Sequence, residues 1–219
     1  MRRRILLSVL FLVCVFFLMA RSSQADTFSG EIWKPAGDLY NFGTHDLTNG
    51  FFTTLGTSDA QFTVDNINFD TLLFGSSATY TQFLGAPGNV NNLVWANGAS
   101  ATFGAQTIQT DGTHASFFQI SGTAFFPANF TIRRDDGFVL YVDGALVIDA
   151  SSPVAPTDTP VNLGLTPGVY SFTLNYAAWN SFPEVLTAPD ITSVPEPGIL
   201  ILLCISVMSL AGLRKWWKE

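Results

Sequence analysis

The sequence predicts an all-β domain, an antiparallel β-sandwich, on three observations. Short runs of β-branched and aromatic residues recur between Gly, Asn, Asp and Pro. No stretch between residues 26 and 192 shows helical periodicity long enough to build on. The 219-residue chain holds 20 Phe and 18 Gly, with 47% apolar and only 12% charged residues, which suits a packed core and excludes a disordered chain.

Taken in order, Gln61-Phe62-Thr63-Val64 and Asn66-Ile67-Asn68-Phe69 alternate polar and apolar, the period of a half-buried strand. Asn66, Asn68 and Asp70 imitate the odd positions of a calcium loop, but Thr71 stands where that loop needs Gly, so a strand is the better reading. Residues 85–104, with four Asn, read as a loop. Residues 116–121, 124–126 and 129–133 continue as strands. Phe138-Val139-Leu140-Tyr141-Val142 is a buried-strand run, and Asp143-Gly144 supplies a two-residue turn before Ala145-Leu146-Val147-Ile148-Asp149 returns as a hairpin. Residues 151–160, with three prolines, read as a loop. Tyr170, Phe172, Leu174 and Tyr176 form the inward set of a last strand.

Charge sorts the function classes. The net charge is −7, and residues 26–193 hold fifteen acids against Lys34, Arg133 and Arg134 alone, a balance of −12. Such a surface repels phosphate, so no nucleic acid is expected as a partner, and it attracts cations. Both cysteines, Cys14 and Cys204, lie in the apolar ends, so the middle has no disulfide and no thiolate chemistry. No Gly-x-Ser-x-Gly elbow, His-Glu-x-x-His pair or phosphate-binding Gly loop is present, and no enzyme is expected.

The ends carry addresses. Residues 1–25 combine Arg2-Arg3-Arg4, an apolar run over 5–20 and Ser23-Gln24-Ala25, the pattern of a signal peptide cleaved after Ala25. A domain over 26–186 and a linker over 187–193 follow. Residues 194–219 hold Val194-Pro195-Glu196-Pro197, an apolar helix over 199–213 and a basic tip, Arg214-Lys215-Trp216-Trp217-Lys218. The prolines leave the tetrapeptide extended, the apolar run can just cross a bilayer, and the basic tip should stay cytoplasmic. This segment resembles the bacterial C-terminal sorting signal named for its Pro-Glu-Pro motif. That resemblance implies an exosortase-type transpeptidase as partner, in a Gram-negative bacterium that makes exopolysaccharide, with the product in the envelope, on the surface or in the extracellular matrix and its C-terminal helix in the inner membrane at least transiently.

Residues 131–149, Thr-Ile-Arg-Arg-Asp-Asp-Gly-Phe-Val-Leu-Tyr-Val-Asp-Gly-Ala-Leu-Val-Ile-Asp, resemble the centre of the protective-antigen-like β-sandwich, found in anthrax protective antigen and in flocculin and epithelial-adhesin lectins. The resemblance extends over about 51–186. Read from the residues alone, Asp135-Asp136-Gly137 is an acidic turn. Neighbouring carboxylates on an extended chain point to opposite faces, and a cis peptide bond would bring both to one side. The resemblance implies that Asp135 and Asp136 hold Ca²⁺, with Asn175 or Asn180 adding a side-chain oxygen and Trp179 and Asn180 touching sugar. It implies a calcium-dependent binder of extracellular polysaccharide. The alternative is a structural envelope or matrix protein without metal or sugar.

Overall fold

The computed structural model describes residues 27–34, 46–85, 93–96, 101–108, 114–179 and 182–194. The expected signal peptide, Asn180, the Pro195-Glu196-Pro197 motif and the helix over 199–213 lie outside the described residues, and Val194 is the last residue within them. Among the described residues no helix is long and apolar enough to cross a membrane.

Twelve strands are described: β1 (Phe28–Trp33), β2 (Ala60–Val64), β3 (Asn68–Asp70), β4 (Val94–Ala96), β5 (Ser116–Phe126), β6 (Asn129–Asp135), β7 (Gly137–Val142), β8 (Ala145–Ala150), β9 (Thr157–Asn162), β10 (Gly168–Ala178), β11 (Val185–Thr187) and β12 (Thr192–Ser193). Three short α-helices accompany them, α1 (Asn49–Thr54), α2 (Tyr80–Leu84) and α3 (Ala101–Gly104), with a 3-10 turn at Gly75–Ser77. The large sheet runs β4-β2-β1-β5-β10-β7-β8, with β12 also on β5, and the small sheet runs β3-β11-β6-β9. Every pairing is antiparallel. The predicted antiparallel sandwich is the observed fold.

The inward faces alternate as the strand period requires. Phe172, Leu174 and Tyr176 of β10 meet Phe118 and Ile120 of β5 beneath Phe69, Ile132 and Leu186 of the small sheet, all buried. Tyr170, expected with them, is only partly buried at the edge of that core. Phenylalanines interlock edge to face, Phe28 on Phe172 at 5.1 Å and 87° among them, a geometry that adds about 1 kcal/mol per pair beyond area burial. Gly30 faces inward opposite Phe62, whose ring lies over it so closely that a Cβ there would sit 2.1 Å from Phe62 Cζ. The expected hairpin forms: Asp143 (φ +48°) and Gly144 (φ +77°) make the turn, and Asp143 Oδ1 accepts from Ser171 N and Oγ at 3.0 and 2.8 Å.

Three expectations change. Residues 157–160 belong to strand β9 rather than to loop, and Pro160 is tolerated because β9 is an edge with only β6 beside it. The 85–104 region contains β4 and α3 among its described residues. Helices too short to show a period also form. Residue pair Thr79 and Gln82 closes a capping box over α2, and α1 starts at Thr48, whose Oγ1 accepts from Phe51 N at 3.3 Å. Residues 47–55 then cover part of the outer face of the large sheet, burying Leu47 and Phe52 against Trp33, Phe117, Val139, Ala177 and Trp179.

Candidate functional site

The acidic pair stands where the chain leaves one sheet for the other. β6 ends at Asp135 in the small sheet and β7 begins at Gly137 in the large one, so Asp136 alone makes the crossing. The Asp135–Asp136 peptide bond is cis, the arrangement that the sequence required if both carboxylates were to serve one ion. This is a link between layers, not the tip of a hairpin.

A third acid joins them from far along the chain. Glu184 precedes β11, whose Val185 lies opposite Asp135, and one oxygen from each of Asp135, Asp136 and Glu184 lies within 4.8 Å of the other two. All three residues are buried. The backbone of Glu184 is pinned by Thr71: its carbonyl accepts from Thr71 N at 3.0 Å, and its N–H donates to Thr71 Oγ1 at 2.6 Å. Tyr176 reaches the cluster from β10, its hydroxyl donating to the Asp135 carbonyl oxygen and lying 3.2 Å from Glu184 Oε2. Burial first, then Glu184, holds the Tyr176 hydroxyl well above its usual range, so it stays a donor.

Arg134 organises the other side. Its guanidinium is buried, with Nη1 donating to the carbonyl oxygens of Asp136, Ala150 and Ser152, each at 2.8 Å, and Nε donating to Thr159 Oγ1 at 2.9 Å. Its carbon lies 5.8 Å from the centre of the Phe138 ring. Burial, and next the neighbouring Asp136 charge, push the Asp135 carboxyl up to about 8, with Arg134 acting against them. Asp135 Oδ1 is buried without a hydrogen-bond partner.

Such a cluster is short of positive charge and rich in hard oxygens. It contains no nitrogen or sulfur ligand, which suits Ca²⁺ or another hard divalent cation rather than zinc or copper. Three carboxylates are fewer donors than the 6–8 oxygens calcium takes, so carbonyls or waters would complete the shell.

The remaining sequence candidates fall elsewhere. Asn175 shares a register row with Val139, on the face of the sheet opposite Tyr176. Its Nδ2 donates to Leu47 O and Asn49 Oδ1 at 2.8 and 2.9 Å, and its Oδ1 accepts from Gln119 Nε2 at 2.9 Å. Its amide is thus committed to holding the 47–49 segment on the sheet. Trp179 is 2% exposed within the second apolar cluster, so its ring face is closed to a sugar, a correction to the expected stacking role. It acts instead through its backbone, whose N–H donates to Asp136 Oδ2 at 2.8 Å. Glu184 escaped the sequence reading, although one acid in the apolar context Phe182-Pro183-Glu184-Val185-Leu186 was the available signal.

The fold is an antiparallel β-sandwich whose two sheets are joined at Asp136. No protein-family model matches the sequence, and no curated protein does. Solved structures do share the fold. A PA14 sugar-binding domain from an RTX adhesin superposes with a TM-score of 0.51 at 13% identity, covering 78% of this chain and 99% of that one. The PA14 domain of the MpAFP antifreeze protein gives 0.50 at 15% identity, covering 78% and 94%.

Proposed function

We propose that the protein is an exported carbohydrate-binding component of the cell surface or extracellular matrix, whose sandwich holds Ca²⁺ at Asp135 and Asp136 and binds polysaccharide beside it. The observation that carries this is the convergence of Asp135, Asp136 and Glu184 from separate stretches onto one buried point, with Asp135 Oδ1 lacking a partner. The sandwich it shares with a sugar-binding adhesin domain supports the ligand class. Glu184 takes the place expected of Asn175 in holding bound calcium. Residues 1–25 direct export, and residues 194–219 make the chain a substrate of an exosortase-type transpeptidase in a Gram-negative cell; binding, not catalysis, is the task.

The test is thermal unfolding of the full chain in millimolar Ca²⁺ and in chelator. A hundredfold excess over Kd adds about 2.7 kcal/mol, which raises Tm by about 5 °C or more in a domain of this size. Asp135→Asn is expected to fold, because an amide copies the protonated carboxyl, and to abolish the rise. A Tm that does not rise in Ca²⁺, or a rise that Asp135→Asn keeps, would overturn the metal part.

Protons compete with the metal, and the sign follows from the raised Asp135 value of about 8 against 3.8 unfolded. The folded chain prefers the protonated acid, so this group's contribution is whole below about pH 4 and is lost as pH rises towards 8. In chelator Tm is therefore expected to fall between pH 5 and 8, while in Ca²⁺ the increment over chelator grows across the same window. Asp135→Asn should flatten both trends, as followed by unfolding scans at half-unit steps.

A second reading has its own observation. Asp136 already holds Trp179 N, and Thr71 pins Glu184, so the cluster could act solely as a knot between the sheets. A Tm indifferent to Ca²⁺ at pH 8 would favour it.

A further inference from the structure

The outer face of the large sheet is ordered in rows set by strand register. One row is aromatic and small, Trp33, Phe117 and Ala177; the next is polar, Gln61, Glu31, Gln119 and Asn175; the third carries hydroxyls, Thr63, Ser29, Ser121 and Thr173. Alternation alone would leave such rows to solvent. Here residues 49–56 lie over one side of them and border an open pocket of about 330 Å³, lined by Trp33 and Phe52 at one end, Glu31 and Gln119 on the floor, and Asn49 and Thr173 beyond. That volume lies at the lower end of the roughly 300–1,000 Å³ usual for small-molecule sites.

We propose that this pocket is a second saccharide subsite, one that needs no metal and takes a single neutral sugar ring. It rests on the carbohydrate reading for its ligand class but not on the acidic cluster. Sugars present hydroxyls that both donate and accept, together with apolar C–H patches. The pocket answers chiefly the first need, while Trp33 and Phe52, themselves buried, close one end as a fixed edge in a T-shaped pair at 5.3 Å, with Trp33 Nε1 anchored on Gly56 O at 2.9 Å. Glu31 is prepared as a hydroxyl acceptor: Ser58 Oγ and Gln61 Nε2 hold its Oε1 at 3.2 and 2.8 Å, which orients the carboxylate and leaves Oε2 to the ligand. Asn175 acts here as a positioning residue, because its amide grips both Gln119 and Asn49. Among the described residues Glu31 is the single charged residue lining the pocket, so a uronic acid is repelled and a neutral hexose fits.

The test uses the full chain in a sugar-free detergent, with chelator present, titrated with the methyl glycosides of glucose, galactose and mannose and with methyl glucuronide, followed by ligand-observed NMR. At least one neutral glycoside should bind in chelator, and the glucuronide should not. Glu31→Gln keeps Oε1 for Ser58 and Gln61 and changes only the second oxygen, so it should unfold at the same temperature and bind about tenfold or more weakly. Thr173→Val, which removes one hydroxyl at constant shape, should weaken binding several-fold and decides the matter if Glu31→Gln does not fold. Glycoside or polysaccharide binding that requires Ca²⁺ and ignores both substitutions overturns the pocket while sparing the carbohydrate reading. Absence of any glycoside or polysaccharide binding, with Ca²⁺ or without, overturns both.

Discussion

Arg134→Met is expected to cost about 3–5 kcal/mol of stability, the range for removing one member of a buried charged network. Methionine fills much of the same space and can still lie against Phe138, so the loss is not one of volume. It is the loss of a cation that closes three backbone carbonyls at once, from the crossover residue Asp136, the end of β8 at Ala150, and Ser152 beyond it. Those carbonyls are left without the donor that gathers them. The same guanidinium favours ionisation of Asp135, so its removal pushes that carboxyl further up. Urea unfolding at pH 7 measures the effect; a loss below about 1 kcal/mol would mean that water replaces the guanidinium and that Arg134 does not organise the crossing.

Gly30→Ala follows at about 3 kcal/mol, the upper part of the range for overpacking a filled core. The added methyl carbon would meet three ring carbons of Phe62 at 2.1, 2.4 and 2.5 Å, and that ring cannot swing aside without disturbing Phe69 at 6.5 Å and Trp95 at 6.1 Å. The glycine thus serves the ring that covers it. The pair predicts its own rescue: Phe62→Leu, itself destabilising, should shrink the cost of Gly30→Ala, and a double-mutant cycle in guanidinium reads the coupling. Additive costs would show that the clash is relieved by backbone movement instead.

The sandwich was legible because its strands carry a local signal. Residues 138–149 state a buried run, a turn of the right chemistry and a return, and the structure forms all three. Asp135 and Asp136 were legible for a similar reason, being adjacent in sequence. Glu184 was not, since what brings it to Asp135 is the pairing of Val185 with β6 across half a hundred residues of chain, and register of that range leaves no local mark. Asn175 and Trp179 were placed in the correct neighbourhood with the wrong tasks. Sequence shows which residue types stand at a strand end, but the 47–55 segment that covers them is fixed by long-range packing and by the Asn175 hydrogen bonds. Pro160 misled through its usual meaning as a breaker, which an edge strand suspends. The capping box at Thr79 and Gln82 closes a helix too short to leave a helical period in the sequence.

β1 and β12 lie head to tail along one side of β5: Ser29 faces Ser121, while Ser193 faces Ala124 three residues away. The chain therefore comes into the sandwich and departs from it through a single doorway. On the far side of β5 an unbroken register of eleven pairs binds it to β10. A segment joined at either end thus leaves from one place on the sheet, on the side of β5 away from those eleven pairs.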